Sequence, residues 1–334
     1  MERSKDRLMK YLLSAILMLF STAIYAWEPP KTITVIAGNP PGAGNEIAFR
    51  KISSIVQQNN PNVSFVFQFM PGADQVNAMN FFITQKNDGS VIALPSHMST
   101  FVTNEIWQKN VKKFQYNSFT VVTSMGNSPL VLFAAKDSKV NTPKDFADLV
   151  AKTKEPITIA IGGGAHRTAY EYIMHNVGGN KEYVRHLNFN GPAQALDSVL
   201  KFKVGQDGTE FGIIPISVAQ AMIDDGQIKA IGFTGNVKLD KYPAVPSLYD
   251  IAPGIDVFAG WSIMLPPNTP SNIQVWYNRE FTKAIRSQEY RDWCRQNLIF
   301  FDESDLDPSG FMKRMEKLRA TFIPFLESLK LVTH

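Results

Sequence analysis

Apolar and polar positions follow two different periods along this chain. Short runs of β-branched and aliphatic residues read as buried strands at residues 33–37, 63–69, 91–94, 129–134, 157–161, 212–214 and 229–233. Between them apolar residues recur at helical spacing. Ala48, Ile52, Ile55 and Val56 mark the inward face of one helix, and residues 76–83, 195–200 and 219–223 read as helical too. Thr142, Pro143 and Asp145 have the make-up of a helix start, with threonine at the N-cap and proline at the first helical position. Near the end, Phe311, Met315, Leu318 and Phe322 share one helical face, with Lys313, Arg314, Lys317 and Arg319 on the other. That spacing predicts a C-terminal helix packed on the body. The alternation of strand and helix predicts an α/β protein with mainly parallel sheets.

Two stretches read as crossings between blocks of this pattern, residues 124–129 and 233–236. They predict two lobes facing a cleft. Residues 27–125 plus 235–334 make the first lobe, residues 126–234 the second, and the crossing strands the hinge. The segment after the second crossing is loop rich in proline (Pro243, Pro246, Pro253, Pro266, Pro267, Pro270), then helix.

The N-terminus changes the picture of where the protein works. Arg3, Lys5, Arg7 and Lys10 outweigh Glu2 and Asp6, residues 11–20 are almost wholly apolar, and small residues follow at Ser21, Ala23 and Ala26. This is the layout of a secretory signal peptide over residues 1–26, cleaved after Ala26 or Ala23, and the apolar run is short for a membrane span. Its loss takes the formal net charge from +4 to +2. The sole cysteine, Cys294, excludes an internal disulfide and lies far from the position a lipid anchor needs. Export without disulfides points to a Gram-negative periplasm. Basic and acidic residues are interspersed, which argues against nucleic acid as a partner.

Two strand-to-helix turns carry the candidate chemistry. The first runs from Gly38 through Asn39, Pro41, Gly42, Ala43, Gly44 and Asn45 to Glu46; the second is Gly162, Gly163, Gly164, Ala165, His166 and Arg167. Glycine lets backbone approach a ligand closely, and a helix N-terminus offers free N–H groups and partial positive charge. One turn in each lobe predicts an anion clamp across the cleft, at the carboxyl ends of the strands. Bulk at Gly44 or Gly163 should then block it. Neither turn has the spacing of a dinucleotide or phosphate-binding loop, no G-x-S-x-G occurs, and no metal-ligand spacing appears among the five histidines and Cys294. No cofactor, metal or catalytic residue is implied.

These motifs, in this order, resemble the receptor family of tripartite tricarboxylate transporters, also called Bug proteins. The resemblance rests on Pro40 to Glu46 with Arg50, Pro71-Gly72-Ala73, Asp88-Gly89, Thr142 to Phe146, Gly162 to Glu171, Gly191-Pro192-Ala193, Tyr242 to Pro246, Pro253-Gly254, Trp261 and Pro266 to Pro270. It implies a type II periplasmic-binding-protein fold of the Venus-flytrap kind and a small carboxylate ligand held largely by main-chain N–H groups. It also implies, as partner, the membrane permease subunits of a tripartite transporter. Residue by residue it points to Pro41 through Glu46 and Gly162 through Arg167, with Ser96 and Ser217 as further candidates after strands.

The chain departs from the family pattern in several places. Asn39 stands for an aromatic, Glu46 for aspartate, Gly164 for serine, Arg167 for histidine and Asp74 for glycine. Glu46 either receives an ammonium or hydroxyl of the ligand or favours its helix start. Arg167 either pairs with a second, distal carboxylate of a dicarboxylate or is a solvated helix arginine. The expected protein is therefore a monomeric, non-enzymatic solute-binding protein. Presentation of the solute to a membrane sensor kinase, or periplasmic catalysis in the same cleft, are the alternatives.

Overall fold

The computed structural model describes residues 27–202 and 209–329; the signal peptide expected over residues 1–26 lies outside them. In chain order the elements are β1 (Thr32–Ala37), α1 (Gly44–Asn59), β2 (Ser64–Phe69), α2 (Val76–Phe82), β3 (Val91–Ala93), a π-turn at Ser99–Thr103 and α3 (Asn104–Trp107). Then come β4 (Thr120–Ala135), α4 (Pro143–Lys152), β5 (Ile157–Ile161), α5 (Gly164–Asn176), β6 (Val184–Asn188), α6 (Pro192–Leu200), β7 (Phe211–Pro215), α7 (Ile216–Asp224) and β8 (Ile228–Phe233). The chain ends with β9 (Phe258–Leu265), α8 (Ser271–Arg286), α9 (Gln288–Gln296) and α10 (Pro308–Ser328).

Strand order is β2-β1-β3-β9-β4-β7-β5-β6, with β8 also paired to β4. Two sheets meet in β4. Its first part, Thr120 to Pro129, pairs with β9, and Leu130 to Ala135 pairs with β7 and β8. The fold is mixed α/β, with two sheets that share β4. The pairing is mixed rather than mainly parallel. β1 with β2 and β3, and β5 with β6 and β7, are parallel, because helices return the chain between them. Every antiparallel pairing involves β4 or β9, the strands that carry the chain between the sheets.

The local signals explain most of the elements. Thr142 accepts the Asp145 N–H while Asp145 accepts the Thr142 N–H, a reciprocal cap that starts α4 behind Pro143. In the first lobe Phe49 of α1 packs on Phe65, Phe67 and Phe281 with ring centroids 5.3–5.8 Å apart. Aromatic contacts of this kind add about 0.5–1.5 kcal/mol beyond area burial. On α10, Phe311, Met315 and Phe322 are buried and Leu318 partly so. Its Arg319 lies over the Tyr116 ring and donates to the Phe101 carbonyl at 2.6 Å. Further along, Phe325 meets Tyr172 of α5 with centroids 5.0 Å apart. The apolar face of α10 thus docks on the body, as its amphipathic spacing implied, with Arg319 adding to the contact while Lys313 and Lys317 are exposed. Among the described residues no helix is long and apolar enough to cross a membrane.

Candidate functional site

The β1–α1 and β5–α5 turns face one another, and a cavity of about 270 Å³ lies against them. Asn39, Asp74, Trp107, Gly163, Arg167 and Asn190 are among its walls. A narrower recess beside it, about 40 Å³, reaches Trp261. Both turns are closely packed. A Cβ on Gly162 would overlap the carbonyl of Gly191, and one on Gly44 would overlap the Trp261 indole. Gly163 is less crowded than its neighbours: a Cβ there meets nothing nearer than 3.8 Å. Crowding therefore falls at Gly44, Gly162 and Gly164.

Of the residues singled out in the sequence, Asn39, Gly162, Gly163, Gly164 and Arg167 line the larger cavity. Ala43, Gly44, Ser96, Ala165 and His166 line the recess. Pro41, Gly42, Asn45, Glu46 and Ser217 line neither. Pro41 and Gly42 are exposed on the turn. The Asn45 amide is buried, donating to the Leu94 carbonyl at 2.9 Å and accepting the Glu46 N–H. Glu46 accepts the Gly42 N–H and pairs with Arg50, both at 2.7 Å, so its carboxylate holds its own helix start. Ser217 receives no ligand-facing position; its N–H donates to Ser128 at 3.3 Å.

The main-chain donors are also partly taken. Gly162 donates to His166 Nδ1 at 3.0 Å, and Gly164 donates to Asp74 at 3.1 Å. With the Gly42 N–H on Glu46, the Glu46 N–H on Asn45 and the Arg167 N–H on the Gly163 carbonyl, five of the amides expected to meet an anion already serve groups of the chain. What the cavity presents instead is Arg167. Its guanidinium carbon sits 3.9 Å from the centroid of the Trp107 ring, and its Nε is buried without a hydrogen-bond partner among the described residues. Burial lowers the Arg167 pKa, while the charges of Glu171 and Asp74 pull it back. An arginine stays cationic under such opposition.

His166 differs from an exposed turn histidine. It is buried, and burial drives its pKa down to about 3. It is neutral, with Nδ1 accepting and the remaining proton on Nε2. The unfolded imidazole takes a proton near pH 6.5, which the folded one refuses until about pH 3, so stability falls as pH drops through that window. One such group accounts for about 1.4 kcal/mol per pH unit. The His166→Gln variant should therefore lose about 1–2 kcal/mol less than the parent between pH 6.5 and pH 5, read by urea melts. Equal losses would show that this proton is not linked to folding.

The cavity also contains residues that the sequence reading did not place there. Trp107 and Asp74 come from segments before β4, and Asn190 from the turn between β6 and α6. Asp74 carried a signal nonetheless, since it stands where the resembled family has glycine.

The family model of the tripartite tricarboxylate transporter family receptor matches residues 59–305. The chain belongs to this receptor family. A UPF0065 protein of Cupriavidus necator is 20% identical over 276 residues, covering 79% of this chain and 77% of the relative. Among solved structures, the receptor superposes on the periplasmic binding protein BugD with a TM-score of 0.80 at 16% identity, over 90% of this chain and 98% of that one. MatC of Rhodopseudomonas palustris, solved with bound malate, gives 0.78 at 17% identity over 88% and 98% of the two chains. An R. palustris protein solved with adipate gives 0.79 at 15% identity over 88% and 95%. At these identities the superpositions establish the fold of the receptor.

Proposed function

We propose that this receptor captures a small organic acid between its lobes, with Arg167 receiving a carboxylate, and delivers it to the permease subunits of a tripartite transporter. The observation that carries the reading is the Arg167 guanidinium, half-buried in the interlobe cavity and stacked on Trp107, with no ion pair among the described residues. A guanidinium offers two parallel N–H groups to a carboxylate. Structural relatives solved with malate and with adipate support the ligand class.

Residues 27–125 with 235–334 form the first lobe of the proposed receptor, and 126–234 the second. The leader is removed after Ala26 or Ala23, and the mature protein acts as a periplasmic monomer. Asn39, Gly163 and the turns around them shape the cavity, and no residue is assigned a catalytic step. Two measurements test this together. Mass spectrometry of what co-purifies with the protein should find an organic acid, and calorimetry with malate, succinate, adipate and butanoate should give at least one saturable, reversible isotherm. An absence of binding by all acids tried and of any co-purified acid would refute the proposal. Conversion of the bound acid with time would favour an enzyme using the same cleft.

A further inference from the structure

Helix α5 begins at Gly164, and its first N–H groups point toward the first lobe, where a ligand carboxylate would complement them. That place is filled. Asp74 reaches it from the turn before α2, 90 residues away in the chain. Its Oδ1 accepts from Gly164 N at 3.1 Å and from Ser99 Oγ at 2.8 Å, and its Oδ2 accepts from Thr103 Oγ1 at 2.9 Å. Three donors from two lobes converge on one carboxylate.

The surroundings are shaped around it. A Cβ on Gly164 would lie 2.6 Å from Asp74 Oδ2 and 3.2 Å from Ser99 Oγ, and would overlap Thr103, so this contact requires glycine at 164. On the other side, Ala73, Asp74 and Gln75 all have left-handed backbones, with φ of 48°, 49° and 73°. Three consecutive non-glycine residues in that region are strained, and such strain persists only where surrounding contacts fix it. Gln75 fixes one end, donating from Nε2 to Ser96 Oγ at 2.7 Å and accepting Ser96 N–H at 2.9 Å. The three bonds to Asp74 fix the centre.

We infer that Asp74 is a tethered carboxylate occupying the second-lobe anion position, and that this makes the receptor select ligands with one carboxylate over those with two. The inference rests on the proposed organic-acid function and departs from the expectation of a dicarboxylate. Arg167 remains to donate its N–H groups to the ligand's carboxylate. A second ligand carboxylate aimed at α5 meets Asp74 already in place, with the Gly164, Ser99 and Thr103 donors taken. Asp74 is a specificity-determining residue in this reading: it acts by exclusion.

The test uses two acids of equal chain length, butanoate and succinate, titrated by calorimetry into the parent, Asp74→Gly and Asp74→Asn. Glycine adopts the left-handed backbone freely and empties the position; asparagine keeps an oxygen for Gly164 and Ser99 and keeps the position filled. The parent should bind butanoate at least as tightly as succinate. Asp74→Gly should bind succinate at least ten-fold more tightly than the parent does, with butanoate changed less than three-fold. Asp74→Asn should keep the parent's order of preference. Circular dichroism at pH 7 confirms that each variant is folded; should Asp74→Gly not fold, Asp74→Ser supplies the emptied position. A parent that prefers succinate ten-fold, or an emptied position that leaves the succinate-to-butanoate ratio unchanged, overturns the role of Asp74 while leaving the organic-acid function standing. No binding of either acid to any of the three proteins overturns both.

Discussion

Alanine at Arg167 is expected to weaken organic-acid binding by about 2–3 kcal/mol, roughly 30- to 150-fold in Kd, with the melting temperature of the ligand-free protein little changed. The magnitude follows from the setting. Hydrogen bonds to charged groups are worth about 1.5–3 kcal/mol, and the Trp107 face holds the guanidinium in one plane, so little side-chain freedom is lost on binding. Arg167 forms no ion pair among the described residues, so its removal breaks no direct pair, although Asp74 and Glu171 lose a nearby positive charge. Lysine at 167 should recover part of the loss, since it restores charge without the two-pronged geometry. Calorimetry on the parent and both variants decides the matter. Affinities within two-fold across all three would mean that the arginine only packs on Trp107.

A comparably large effect is expected on stability at the junction of the two sheets. Asp305, with 1% of its side chain exposed, pairs with Arg314 of α10, which also donates to Asn127 of β4 at 2.9 Å. Burial raises the Asp305 pKa, and Arg314 opposes the rise. The Arg314→Ala variant should lose about 3–4 kcal/mol at pH 7, because it leaves a buried carboxylate without its counter-charge. The folded Asp305 then takes a proton at higher pH than the unfolded one does, so the deficit should shrink as the pH falls toward 5. Adding Asp305→Asn to Arg314→Ala should recover most of it at pH 7. Urea midpoints at pH 7 and 5 measure both effects, and a deficit under 1 kcal/mol at pH 7 would show a pair as weak as an exposed one.

Much of the fold was legible because it is written locally. The runs at 33–37 and 157–161 became β1 and β5, and the Thr142 cap appeared as read. The failures share a cause. β9 was missed because Phe258–Leu265 lies in a proline-rich stretch and includes Gly260. The crossing read at 124–129 lies inside β4, which continues through a register shift with Gly126 at φ 114°, and the full length of that strand was not read. What makes those residues strands is pairing with partners more than a hundred residues away, which no local pattern encodes. The cleft divides the same way. Each glycine turn is a contiguous strand–turn–helix and could be found, and Arg167 followed from the second. Asp74 and Trp107 reach the cavity from elsewhere in the chain, so their place there is a property of the tertiary structure alone.

The strand order has a further consequence for how the molecule comes into being. β9 lies between β3 and β4, and Ala93 of β3 waits for Met264 as its partner. As the chain is synthesised, the first sheet therefore has a gap between β3 and β4 until residues 258–265 have emerged. Pairings that span so much chain close slowly, and the strand that awaits one keeps an unsatisfied edge. The nascent protein remains an unfinished sheet for most of its synthesis.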